Sequence, residues 1–456
     1  MFYVPKKLLK YRMKNILVIG AGRTSSSLIN YLLEKSAELN WAVTIADKSL
    51  ELAEQKAANH PRARAINFNV LDDGQRALQV GKADIVVSLL PETFHIHVVK
   101  DCIKHRVHLV TASYVSPQMA TFNHEVENAG LIFLNEMGLD PGIDHMDTMR
   151  LISKVKAKGG KLISLRSYGG GLVAPQCDDN PWGYKITWNP MNVVMAGMAS
   201  ARYVKNEKLK IVPYNRLFRD VRLVDVPGLG KFEAYPNRDS IKYRRIYSIP
   251  KIPNVFRGSL RKIGFCKAWN ALVQIGLTDN RYLVPDSDKF RFNEWLSFYL
   301  DKKNGISTKQ ALADFLNESE DSEIIKNIEW LGLLSDEKIH LTDVSPAEIL
   351  LDLLKKKWKF GERDKDMVIL QTEVEYEIEN RIDKIVSSLV VYGKPGFNTA
   401  MSATVGLPLG IGVKLILGNK VKEKGVIIPI YPDIYKPAMK ELSELGIKPN
   451  ELVTSI

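Results

Sequence analysis

The stretch from Met13 to Asp47 constrains this chain more than any other. An apolar run, Asn15–Gly20, closes on Gly20-Ala21-Gly22-Arg23-Thr24-Ser25. An amphipathic segment, Ser27–Glu38, follows, and a second apolar run, Trp41–Asp47, ends on a carboxylate. Gly20 permits a tight turn, Gly22 lets the backbone approach a pyrophosphate, and the amides that open the helix face its phosphates. The third position of the motif, usually Gly or Ala, is Ser25, still small enough for close helix–strand packing. Such a motif alone is weak, and a glycine turn without a nucleotide is its alternative. Here it follows a strand, precedes a helix and heads a series of βα units, the context expected of a dinucleotide-binding βαβ unit.

The series continues. Ala63–Val70, Ala83–Pro91, Val107–Tyr114 and Leu131–Gly138 are short and nearly all apolar, as strands covered on both faces are. Leu50–Asn59, Phe94–Lys104 and Pro117–Ala129 have helical patterning between them. Repeated βα units predict an α/β fold, a Rossmann-type doubly wound parallel sheet. After Gly142 the pattern changes. Residues 145–158 suit a helix and Leu162–Tyr168 a strand, and residues 169–240, rich in Gly, Pro, Asn and aromatics, read as long loops on a second sheet. From about Asn270 to Lys357 the signal is helical, clearest at the capping box Ser345-Pro346-Ala347-Glu348. Residues 366–379 and 384–392 alternate like a hairpin around Asn380 and Arg381.

With 456 residues the chain is long enough for two or three domains. The longest apolar candidate for a membrane span, Val405 to Leu417, is interrupted by Pro408 and Lys414, so no membrane association is expected. Met1 to Arg12 is basic, with neither an apolar core nor a small-residue cleavage site. It reads as an extension, or Met13 is the start, and not as a signal peptide. Cys102, Cys177 and Cys266 lie far apart, without ligand spacing, so neither a disulfide framework nor a metal site is expected, and the reading is cytoplasmic. The net charge of +12 is spread along the chain with no nucleic-acid-binding motif, so no nucleic acid is expected as a partner. A solvated basic surface or an anionic small substrate accounts for it.

Asp47 ends the second strand, where a carboxylate accepts bonds from the adenine ribose and repels a 2′-phosphate, which leans the reading to NAD. Lys48 follows it and Arg23 lies in the glycine turn, so NADP stays open, as does a merely solvated Lys48. Ser88-Leu89-Leu90-Pro91 and Thr111-Ala112-Ser113-Tyr114 end the fourth and fifth strands. Ligands bind outside such ends, so Leu89, Leu90, Ala112 and Ser113 are expected beside the nicotinamide. Hydroxyls at strand ends also cap helices, the reading preferred for Ser116 before Pro117.

Three further polar turns stand out: Asn135–His145, Asp178–Lys185 and Tyr235–Ser240. With them the chain resembles the saccharopine reductase family, the glutamate-forming saccharopine dehydrogenases. The resemblance is carried by SLLPETFH (88–95), TASYVSP (111–117), NEMGLDPGIDH (135–145), GGL followed by AP (170–175), DNPWGYK (179–185), YPNRDS (235–240), RGSLR (257–261), WLGLLSDEK (330–338) and EKGVIIP (423–429). It covers essentially everything after about residue 14, and within the family the fungal enzymes of lysine synthesis are most similar. It implies an extension at 1–12, a dinucleotide-binding domain at 13–140 completed by 397–456, a mixed α/β substrate and dimerisation domain at 141–276 with 366–396, and a small helical domain at 277–365. The implied reaction is saccharopine, NAD(P)⁺ and water giving glutamate, 2-aminoadipate 6-semialdehyde and NAD(P)H, by a homodimer without metal. It implies substrate contacts at Ser113, Tyr114, Asp140 and Arg238 and backbone contacts at Gly258, Ser259 and Leu260. It also places Leu139, Asp140, Pro141 and Asn189 beside the cofactor.

The residue types suit that chemistry. Saccharopine carries three carboxylates, and planar guanidinium groups hold carboxylates bidentately. Arg238 is therefore expected to bind one, while Arg257 and Arg261 read equally well as surface charge. Hydride loss from a secondary amine leaves an imine that water attacks. Asp140 and Tyr114 are the polar groups expected to order that water or accept a proton, against the alternative that Asp140 is a helix cap before Pro141. His95, His97 and His145 are expected to be structural. One departure is Gly169, where many family members carry cysteine. A related reductase of the carboxynorspermidine type, or a non-catalytic dinucleotide-binding protein, are the competing readings.

Overall fold

A computed structural model describes residues 12–301, 305–396 and 398–456. The basic segment before Arg12, read above as an extension, lies outside them. The chain divides into two compact units. The first ends at Leu151 and takes back the chain up to Lys448; the second holds Ile152–Gly396 and Pro449–Ile456.

In the first unit the expected strands form as β1 (Lys14–Ile19), β2 (Trp41–Asp47), β3 (Ala63–Asn67), β4 (Ile85–Ser88), β5 (His108–Thr111) and β6 (Ile132–Leu134). All pair in parallel in the order β6-β5-β4-β1-β2-β3, and the strand Gly425–Ile427 extends the sheet beyond β6. The order reverses between β1 and β4, and that switch point is where doubly wound sheets bind ligands. Four strands stop short of the expected ends: β3 at Asn67, β4 at Ser88, β5 at Thr111 and β6 at Leu134. Apolarity reports burial rather than pairing. Val110 and Leu134 are in the ladder, whereas Met137 and Leu139 are equally covered but lie in turns. A helix at Asp73–Val80 went unforeseen. It is short, capped by Asp72, and leaves Leu78 exposed, so it carries little apolar periodicity.

Helix α1 (Ser26–Leu39) packs against the helix Ala400–Leu417. The latter is long and apolar enough by composition to cross a membrane, a longer stretch than the sequence reading marked, and 72% of it is buried within the structure. Its glycines explain the fit. A Cβ at Gly406 would stand 2.6 Å from the Leu28 backbone nitrogen, and one at Gly410 would collide with the Tyr31 ring. Small residues let two helices approach where larger ones hold them apart.

The second unit is built on a nine-stranded mixed sheet. Lys161–Val173 lies at its centre, parallel to Asn254–Arg261 on one side and antiparallel to Asp366–Ile378 on the other. Asp366–Ile378 and Arg381–Tyr392 form the expected hairpin, but its turn residues are Glu379 and Asn380, both at positive φ (50° and 59°). That pair suits a two-residue turn matched to strand twist, and it shifts the turn one residue from the expected Asn380-Arg381. The helical stretch after Asn270 shares one core with the sheet. Trp358, at the end of the capped helix Pro346–Lys357, meets Trp182 and Tyr184 edge-on at 5.4 and 5.1 Å, and Trp269 stacks on Phe265 at 5.6 Å. The tail departs from the expected 397–456 assignment. Asn450–Ser455 pairs antiparallel with Arg381–Tyr392, so the last residues belong to the second unit. The physical reason is the open ladder of the Arg381–Tyr392 edge, whose N–H and C=O groups the tail satisfies.

Candidate functional site

At the switch point, Gly20 has φ +108°, and a Cβ there would press on Leu89 Cβ at 3.2 Å across from β4. Only glycine suits that turn. Gly22 differs: a Cβ there would meet nothing within 4 Å. The protein's own packing therefore does not require this glycine, and the bare backbone it leaves suits the close approach of a pyrophosphate. Ser25 is buried and donates its Oγ hydrogen to Gly22 O at 2.8 Å, which braces the turn ahead of α1. Thr24 is half-buried and Arg23 exposed. Asp47 carries out a task that the sequence did not predict. Its Oδ2 accepts the Ala21 N–H at 2.6 Å and its Oδ1 the Ser49 N–H at 2.9 Å. The carboxylate thus ties the end of β2 to the glycine turn. Lys48 is exposed beside it, and neither Lys48 nor Arg23 has a side-chain partner among the described residues. These groups fit a dinucleotide.

Leu89, Leu90 and Ala112 are half-buried just past β4 and β5, as expected of residues bordering a ligand. Beneath them lies a polar cluster. His95 is 2% exposed; its Nδ1 is 2.9 Å from Ser88 Oγ and its Nε2 is 2.8 Å from Ser113 Oγ. Burial pushes the imidazole down to about 4. Ser116 is the helix cap it was expected to be, accepting the Met119 N–H at 3.0 Å.

Tyr114 and Asp140, 26 residues apart, come together: the Tyr114 hydroxyl donates to Asp140 Oδ1 at 3.0 Å. The helix after them begins at Ile143, so Asp140 is not its cap. The turn that carries Asp140 is stitched to the end of β5 by Glu136. Glu136 sits at φ +56°, its N–H donates to Ser113 O at 3.0 Å, its Oε1 accepts the Val115 N–H at 3.0 Å, and its Oε2 meets His145 Nε2 at 2.7 Å. Asp144 Oδ1 accepts from Gly142 N at 2.6 Å and His145 N at 2.8 Å, closing a loop in which Asp140-Pro141 is cis and Leu139 and Pro141 are buried. His145 is therefore structural, as expected, and His97 is exposed on its helix. Glu136 was missed as a functional support. Its signal was present, because a charged residue inside an apolar strand end needs a partner.

The other predicted residues lie in the second unit. Gly258, Ser259 and Leu260 occupy the strand Asn254–Arg261, where Ser259 pairs with Tyr235 on one side and Gly169 on the other. Arg257 and Arg261, which the sequence could not distinguish from surface charge, are 5% and 6% exposed. Arg257 Nη1 donates to the Tyr243 hydroxyl at 2.6 Å over the same ring, and Arg261 lies 5.0 Å from the Tyr184 ring centre and 5.3 Å from that of Phe265. Arg238 is exposed, at φ +49° in the turn after Gly230–Pro236. Asn189, expected beside a cofactor, caps the helix Pro190–Met195 by accepting the Met191 N–H at 3.1 Å.

Residues 16–134 match the family model described as the saccharopine dehydrogenase NADP binding domain, and residues 138–447 match the saccharopine dehydrogenase C-terminal domain. The saccharopine dehydrogenase [NADP(+), L-glutamate-forming] of Pyricularia oryzae is 35% identical, over 97% of this chain and 99% of that protein. The protein of the same name from Saccharomyces cerevisiae is 36% identical over 94% and 97%. Among solved structures, apo saccharopine dehydrogenase (L-Glu forming) from Saccharomyces cerevisiae superposes with a TM-score of 0.87 at 34% identity, covering 97% of this chain and all of that one.

Proposed function

Because the chain belongs to the saccharopine dehydrogenase family, we propose that it converts saccharopine, oxidised dinucleotide and water to L-glutamate, 2-aminoadipate 6-semialdehyde and reduced dinucleotide. The observation that carries this reading is the Tyr114–Asp140 pair, held beside the switch point by the Glu136 stitch. When bound, the nicotinamide supplies the hydride acceptor. The chain's own part is proton handling and orientation. Asp140 and Tyr114 order the water that attacks the imine carbon, and Asp140 accepts its proton. Arg238 holds a substrate carboxylate by a bidentate pair. Absorbance at 340 nm with saccharopine and either dinucleotide tests the reading; no reduced cofactor with either one overturns it. Arg238→Ala is expected to raise the saccharopine KM about tenfold, a charge-assisted hydrogen bond's worth. An unchanged KM would remove its carboxylate role.

The finer choice of cofactor is NADP in this reading. Both Asp47 oxygens already accept backbone N–H groups, while Arg23 and Lys48 are exposed cations at the adjoining strand ends. Curated relatives named for NADP(+) support the same choice. Lys48→Ala is expected to lower kcat/KM for NADP more than for NAD; an equal loss would argue against a 2′-phosphate contact.

The protein is a homodimer in this reading, formed through the second unit. Every residue of Asn450–Ser455 is exposed at the edge of the sheet, including Leu452 and Val453, and such an apolar edge invites a second strand. Sedimentation equilibrium should return twice the chain mass of 51.5 kDa. A single-chain mass at micromolar concentration would exclude it.

A further inference from the structure

His95 lies under Ser113 rather than beside any ligand. Its ring is fully covered, and burial keeps it neutral at ordinary pH. A neutral imidazole has one N–H and one lone pair, so its tautomer sets the direction of every hydroxyl around it. Three hydroxyls surround the ring. Ser88 Oγ faces Nδ1 at 2.9 Å, Ser113 Oγ faces Nε2 at 2.8 Å, and Thr111 Oγ1 stands farther from Nε2, at 3.4 Å.

Ser88 decides between the two tautomers. It is 1% exposed, and among the described residues the ring is the only partner of its hydroxyl. If Nδ1 carried the proton, the Ser88 hydrogen would be buried without an acceptor. With the proton on Nε2, Ser88 donates to Nδ1. That arrangement gives up only the long Thr111 contact, while Thr111 Oγ1 keeps the Ser113 N–H it accepts at 3.2 Å. Ser113 bonds the ring in both cases, but with opposite polarity.

We propose that His95 is a positioning residue for the substrate: its Nε2–H donates to Ser113 Oγ, which turns the Ser113 hydroxyl hydrogen away from the ring to donate to a substrate carboxylate. This rests on the reading of Ser113 as a substrate contact. It assigns to Ser88–His95–Ser113 the role of a fixed donor relay, with the ring never charged.

Nitrogen-15 NMR of the full chain with labelled histidine tests the relay without any substrate. His95 is expected as a neutral ring protonated on Nε2 at pH 7, and a ring protonated on Nδ1, or an imidazolium, overturns the proposal. Kinetics test its consequence. The amide nitrogen of asparagine can replace Nδ1 but does not reach Ser113, whereas that of glutamine can replace Nε2. His95→Asn is expected to raise the saccharopine KM about tenfold, as Ser113→Ala does, with kcat within about twofold and cofactor affinity unchanged. The double variant should be no worse than Ser113→Ala, and His95→Gln should recover most of the loss. A wild-type KM in His95→Asn beside a raised KM in Ser113→Ala, or losses that multiply, overturns the relay. An unchanged KM in Ser113→Ala overturns it as well, at its first link. Absence of saccharopine turnover by the unaltered protein defeats the functional reading instead, and the NMR result still decides the tautomer.

Discussion

Asp140→Asn should lower kcat about a hundredfold, the scale of a lost proton acceptor, while leaving the stability of the first unit unchanged. The Tyr114 hydroxyl already donates to Asp140 Oδ1 at 3.0 Å, so the carboxylate is oriented before any substrate arrives. Asparagine preserves the size of the group and can still accept that bond through its carbonyl. What it removes is the negative charge and the ability to take a proton from water. Loss confined to kcat, with cofactor affinity retained, is therefore the signature of chemistry rather than packing. Tyr114→Phe should produce a smaller fall, since Asp140 keeps its charge and loses only its orienting donor. A kcat within about threefold of wild type in Asp140→Asn would show that proton transfer is borne elsewhere.

Gly142→Ala should be more damaging to the fold than any change to the Asp140 side chain. Gly142 has φ +148°, and a Cβ there would overlap the N, C and O atoms of Gly138. Those atoms are backbone, and they are held. Gly138 N–H donates to Pro141 O at 3.0 Å, Gly138 O accepts from Ile143 N at 2.9 Å, and Gly142 N–H donates to Asp144 Oδ1 at 2.6 Å. No rotamer change can relieve the overlap, so the loop that presents Asp140 must open. A loss of about 3 kcal/mol or more is expected, from strain and broken hydrogen bonds together. Urea denaturation measures it. A midpoint that corresponds to less than about 0.5 kcal/mol would mean the loop has another conformation open to it.

Much of this protein was legible in one dimension because the physics involved is local. The glycine turn, Ser116 before Pro117 and the Ser345–Glu348 box are set by residues within a few positions of each other, and each forms as expected. Strand positions in the first unit were legible through their apolarity. Their ends were not, because Met137 and Leu139 are as thoroughly buried in turns as Leu134 is in a strand. The reach of the C-terminus was not legible either, since the tail settles on an edge strand about sixty residues earlier.

The sequence by itself determined the dinucleotide fold, the family and the residue types from which its chemistry is drawn. These depend on periodicity and on motifs short enough to act through their own backbone. Only the tertiary structure decided what the polar groups do. Asp47 was read as a ribose acceptor, and the structure also makes it the brace of the glycine turn. Arg257 and Arg261 had no assigned environment until aromatic rings closed over them. His95, read as structural, proved to be the partner of Ser113. The direction of a hydrogen bond and the burial of a charge depend on atoms that lie far apart in the chain and meet only once it has folded.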